Sequence, residues 1–118
     1  MEIVLLKAFL ITTTVMLIAS DAFAEEQYTV GKAMESSDQK WLNDRITTIG
    51  NTLTWANDFA KDDGKPLFCP PPKLTIAGEQ WRRLLDDMLN EKPSMRNEHI
   101  SYLAPLLIFA AKRTFPCN

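Results

Sequence analysis

Few residues in this chain of 118 have side chains suited to catalysis or ligation, and their spacing limits what they can do. His99 is the single histidine and stands beside Glu98. A histidine near a carboxylate is the raw material of a general base, but a lone pair of this kind reads as surface decoration. No serine lies in a nucleophile-elbow pattern. A Cys–His nucleophile would need a free thiol, and Cys117, next to the terminus, is better explained by bonding to Cys69. Two cysteines and one histidine at these separations match no usual zinc spacing. The acid pairs Asp62-Asp63 and Asp86-Asp87 read as solvated. The expectation is a protein that is not an enzyme, with no catalytic site, cofactor or metal.

The two cysteines carry more information as a pair. Phe68-Cys69-Pro70-Pro71-Pro72 opens one stretch and Phe115-Pro116-Cys117 closes it, with the two cysteines 48 residues apart. In the chain-entropy model, closing a loop of that length stabilises a fold by roughly 4 kcal/mol. The total stability of a small domain can be as little as about 5 kcal/mol, so the bond would matter. It requires an oxidising compartment. The amino terminus supplies the route: Lys7, an apolar run from Ala8 to Ile18, then Ala22-Phe23-Ala24 read as a secretory signal with an A-x-A cleavage site. The run from Ile3 to Ala19 is short for a membrane span and is interrupted by Thr12, Thr13 and Thr14. The expected organisation is therefore a signal peptide over 1–24 and one domain over 25–118, exported to the periplasm and free of the membrane after cleavage.

Of 13 basic and 15 acidic residues, Lys7, Glu2 and Asp21 fall in the leader, so the exported domain is close to neutral. With no basic cluster, nucleic acid and anionic membranes are not expected partners. A domain this small has a modest core, the size at which a disulfide is a useful supplement.

The elements that must position these residues are helical. Val30, Ala33 and Met34 make one face of a short helix near Gly31, and Ser36, Ser37 and Asp38 are candidate N-caps for the next. From about Ser37 to Lys61, Leu42, Ile46, Ile49, Leu53, Ala56 and Ala60 form a sustained helical stripe. Trp41, Trp55 and Phe59 are expected to flank it and widen the buried face. Gly50, inside this helix, points to close approach of a neighbour or to a bend. Asp62-Asp63-Gly64-Lys65-Pro66 stops it. Leu67 to Leu74 follows as a stiff polyproline strap. A second helix is expected from near Thr75 to Pro93, with Trp81, Leu84, Leu85, Met88 and Leu89 inside. On its outer face, Arg82 with Asp86 and Arg83 with Asp87 make i,i+4 pairs. A third runs over roughly Asn97 to Thr114, kinked or restarted near Pro105. No segment alternates at period two. The expected fold is all-α, a small bundle of three to four helices with a proline-rich strap and one disulfide.

Several of these residues carry a family resemblance. Leu53-Thr54-Trp55-Ala56-Asn57, Leu67-Phe68-Cys69-Pro70-Pro71, Leu74-Thr75, Gln80, the helix ending in Pro93 and the closing Phe115-Pro116-Cys117 occur in one order. That ordered set, over about Ile46 to Cys117, resembles the type VI secretion immunity proteins of the Rap/Tai type. The resemblance implies a small helical periplasmic protein that binds a secreted toxin, a peptidoglycan amidase, and blocks its active-site cleft. Many relatives carry further cysteines in their amino-terminal helices. This chain has none there, which puts the whole covalent constraint on Cys69–Cys117 and leaves the packing of residues 25–44 open.

The alternative class is a periplasmic chaperone or envelope-stress protein, equally compatible with leader, disulfide and helix pattern. Lys61, Asp62, Asp63, Gly64 and Lys65 form a charged tip that could enter a cleft, and are the candidate partner-binding residues; the plainer reading of the same loop is a solvated helix stop. Trp41, Trp55 and Trp81 read as core, and any one left exposed becomes the anchor candidate. A homodimer covering an apolar patch is a further expectation.

Overall fold

A computed structural model describes residues 27–118; the expected signal peptide, residues 1–24, lies outside them. Among the described residues four α-helices follow in order, α1 (Val30–Glu35), α2 (Gln39–Asp62), α3 (Gly78–Glu91) and α4 (Leu103–Thr114). Two 3₁₀ turns, Pro93–Asn97 and Ile100–Tyr102, lie between α3 and α4. The fold is all-α with a single disulfide, Cys69–Cys117, as the sequence leads one to expect.

The amino-terminal packing that sequence left open is settled by two backbone hydrogen bonds. The Val30 N–H donates to the Glu98 carbonyl at 2.8 Å, and the Ile100 N–H to the Tyr28 carbonyl at 2.9 Å. Thr29 then caps α1 through the Lys32 N–H, and Val30 and Ala33 enter the core. Gln39, in the first turn of α2, donates its side-chain amide to the carbonyls of Ala33, Met34 and Ser36. The Met34 and Ser36 carbonyls gain a partner at the end of α1 in this way, and the Ala33 carbonyl, which also accepts the Ser36 N–H, gains a second. Arg82 of α3 reaches across to Gln39 and Asn43 while also pairing with Asp86. The expected outer-face Arg82–Asp86 pair is thus part of an inter-helix network, with Arg82 half-buried. No ion pair joins Arg83 to Asp87 among the described residues; Glu91 pairs instead with Arg113 of α4.

α2 begins at Asp38, whose carboxylate accepts the Trp41 N–H at 3.1 Å. It ends in two bonds, Lys65 N–H to the Ala60 carbonyl and Gly64 N–H to the Lys61 carbonyl, both 2.9 Å. That pairing is the Schellman motif, and it requires the left-handed φ of +76° at Gly64. The buried line of α2 runs through Leu42, Ile46, Gly50, Leu53 and Asn57. It is rotated from the expected apolar stripe, leaving Ile49, Ala56 and Ala60 half-buried. The cause lies on α3 and the strap. A Cβ on Gly50 would sit 2.3 Å from the Trp81 ring, so only glycine admits that indole. Gly78, at the first turn of α3, meets Thr47 in the same way. Gly50 therefore marks close approach. Trp81 packs edge-on against Phe68, centroids 5.8 Å apart.

The inner face of α3 is the expected one: Trp81, Leu84, Leu85, Met88 and Leu89 are all buried. Its start is not. Thr75 is exposed and outside the helix, the chain stays extended long enough to bury Ile76, and Ala77 is the capping residue. Gln80 turns back to accept the Ala77 N–H at 2.8 Å.

Of the kink and the restart expected near Pro105 in the segment 97–114, the structure has the restart. Glu98 and His99 are extended because their backbone pairs with Tyr28–Val30, so the helix restarts at Leu103. Pro105 becomes the third residue of α4, where no intrahelical donor is required.

Candidate functional site

The strap is the element that shapes the surface beside α2. Three consecutive prolines offer no N–H, and the N–H groups of Leu67, Phe68, Cys69 and Leu74 each find an acceptor. Asn57, buried in α2, accepts the Leu67 N–H at 2.7 Å and the Phe68 N–H at 3.1 Å, and donates to the Phe68 carbonyl at 2.9 Å. The Cys69 N–H donates to the Phe115 carbonyl at 2.8 Å, beside the Cys69–Cys117 bond with its Cα atoms 5.0 Å apart. Pro71 to Leu74 closes a turn through a 3.1 Å bond, with Lys73 in the left-handed region at φ 73°. That sign of φ after a proline is the signature of a type II turn, where glycine is the usual occupant. Asn57 therefore acts as a substitute strand edge for the strap. The sequence marks Asn57 only as the last residue of Leu53-Thr54-Trp55-Ala56-Asn57, because a buried asparagine has no apolar signature.

Between α2 and the strap lies a groove of about 400 Å³. Asn51, Thr54, Trp55 and Asp58 form its α2 wall, Pro70, Leu74 and Thr75 the strap wall, and buried Asn57, Phe68 and Ile76 its base. It adjoins a smaller hollow of about 210 Å³, where Asp58 and Lys61 face Pro70 to Lys73.

The aromatic residues correct one expectation. Trp55 and Phe59 do not widen the buried face of α2; they are 66% and 65% exposed, and Trp41 is 38% exposed. Of the three tryptophans only Trp81 is core. At about 100° per residue, Trp55 and Phe59 lie more than a right angle from the Leu42–Leu53 line. That angle was available in the sequence and is the signal that would have found them. Trp55 and Phe59 pack on each other, centroids 6.3 Å apart. Trp41 stands against Tyr28, with the Arg45 guanidinium 4.9 Å from its ring centroid.

The charged tip Lys61, Asp62, Asp63, Gly64 and Lys65 is exposed throughout, and its backbone is the Schellman cap of α2. Lys61 alone of the five also lines the hollow beside the groove. The tip and the Trp55–Phe59 pair thus occupy one end of α2. His99 sits elsewhere. Its Nδ1 accepts the Ser101 N–H at 3.1 Å and lies 2.8 Å from the Ser101 hydroxyl, so it caps the 3₁₀ turn Ile100–Tyr102. Among the described residues no group of three or more His, Cys, Asp or Glu could hold a metal ion. No described helix is long and apolar enough to cross a membrane.

Compared with protein-family models, curated proteins and solved structures, the chain has no match in any of the three.

Proposed function

We propose that this protein is a periplasmic immunity protein that binds a type VI secretion effector, a peptidoglycan amidase, and blocks its active-site cleft. The observation that carries the reading is the exposed Trp55–Phe59 pair beside the groove, on the same end of α2 as the charged tip. Exposed aromatics on a rigid element lose little conformational entropy on association and often dominate an interface. Trp55 and Phe59 stand on α2, to which the Asn57 hydrogen bonds tie the disulfide-held strap. The secretory leader and the paired cysteines agree with an oxidising compartment. The ordered residues from Leu53 to Cys117 that resemble the Rap/Tai-type immunity proteins supply the partner class.

Affinity capture tests the reading. The exported protein, immobilised at neutral pH, is offered the secreted proteins of a strain with an active type VI system. Capture of one peptidoglycan hydrolase, with its activity lost in the complex, is the expected result. Capture of many unrelated envelope proteins, or capture only at acid pH, would replace the inhibitor reading with the chaperone one.

A further inference from the structure

The groove between α2 and the strap has a chemical bias. Asn51, Trp55 and Asp58 follow one another at i, i+4 and i+7 along the same side of α2 and all line it. Asp58 is exposed, is the sole charged residue lining this groove, and makes no ion pair among the described residues. Asp58 also lines the adjoining hollow, whose lining includes Lys61 and Lys73, whereas the lining of the groove itself includes no cation. Phe59 does not line the groove and packs on the Trp55 ring, backing it.

We infer that the Trp55–Asp58 slot receives a cationic side chain, an arginine for preference, presented by an extended segment of a protein partner. This deepens the inhibitor reading and rests on it for the partner being a protein. The physical reasons belong to the slot itself. A guanidinium stacks on an indole face and pairs through two N–H groups with a carboxylate. Asp58 is one turn along from Trp55, which puts both interactions within reach of one side chain. The strap wall of Pro70 and Leu74 offers apolar contact to the stem of such a chain. A carboxylate presented at the same place would meet Asp58 and be disfavoured.

The test needs no toxin. ¹⁵N-labelled, disulfide-bonded exported protein is titrated with the blocked peptide acetyl-Gly-Arg-Gly-amide, with acetyl-Gly-Gln-Gly-amide as the control. Three indole signals are followed, Trp55 being assigned through Trp55→Phe. The expected result is a saturable, millimolar shift of the Trp55 indole with the arginine peptide, while the buried Trp81 signal stays in place. Affinity for the glutamine peptide should be at least about tenfold weaker, and Asp58→Asn should remove that preference while the amide spectrum stays dispersed. An equal response to both peptides, an arginine preference that survives Asp58→Asn, or no response would overturn the inference. Failure here with successful capture of a hydrolase would leave the inhibitor reading standing. An arginine-selective slot with no hydrolase captured would count against that reading instead.

Discussion

Asn57 and Gly50 show how much of this fold rests on single positions of α2. Asn57 satisfies two N–H groups and one carbonyl of the strap from a site that is 5% exposed. Removing it leaves those groups unpaired in the interior, where each costs about 1–3 kcal/mol. Asn57→Ala is expected to lower unfolding stability by roughly 3 kcal/mol and to speed hydrogen exchange at Leu67 and Phe68. Exchange unchanged at those two amides would show that the strap is held without it. Gly50→Ala sets two effects against each other. Alanine favours the helix by about 1 kcal/mol, but its Cβ would stand 2.3 Å from the Trp81 ring. Overpacking of this kind costs about 1–3 kcal/mol. The ring is walled in by Phe68 and cannot swing away freely, so net destabilisation is expected in chemical denaturation.

Among the elements, the strap and α4 depend on each other. Cys69 and Cys117 are both exposed, so their bond contributes little by burial and acts chiefly as a tether. It joins the strap to the residues just after α4, next to the Cys69–Phe115 backbone bond. Replacing both cysteines by serine should lower stability by about 2–4 kcal/mol through the loop-closure term. The helical circular dichroism should remain, because the α3 core of Trp81, Leu85, Met88 and Leu89 does not touch the tether's chemistry. An unchanged melting temperature would rule the tether out as a stabilising device. The division of the last helical segment has a different cause. Glu98 and His99 leave the helix because Tyr28 and Val30 pair with the backbone of Glu98 and Ile100.

For the whole molecule, the informative contrast lies between aromatic side chains inside and outside. Trp81 and Phe68 close the core, while Trp55 and Phe59 stand on the opposite side of α2 with no cover. Substitutions of exposed residues usually change stability by no more than about 0.5 kcal/mol. Anchors at an interface cost about 2 kcal/mol or more when truncated. Trp55→Ala and Phe59→Ala should therefore melt like the parent protein and yet lose at least about tenfold in affinity for the captured partner. Loss of fold would show that the pair is structural; unchanged affinity would move the interface elsewhere.

The all-α class, the inner face of α3, a cap of α2 among Ser36, Ser37 and Asp38, the Gly-Pro stop of α2 and the cysteine pair were legible in the sequence. Each depends on local periodicity, capping chemistry or the count of cysteines, which act within a few residues or leave no alternative pairing. Other features came only from tertiary structure: the rotation of α2 onto Gly50 and Asn57, the start of α3 at Gly78 and the break at Glu98–His99. All three are set by groups distant in the chain, the Trp81 ring, the strap backbone and the Tyr28–Val30 segment. The exposed pair Trp55–Phe59 belongs to both kinds. Its angle on the helix was written in the spacing, but its freedom from cover depended on where α3 and the strap came to rest. Hydrophobicity reports how strongly a side chain resists water, and only the packed neighbours determine whether it escapes.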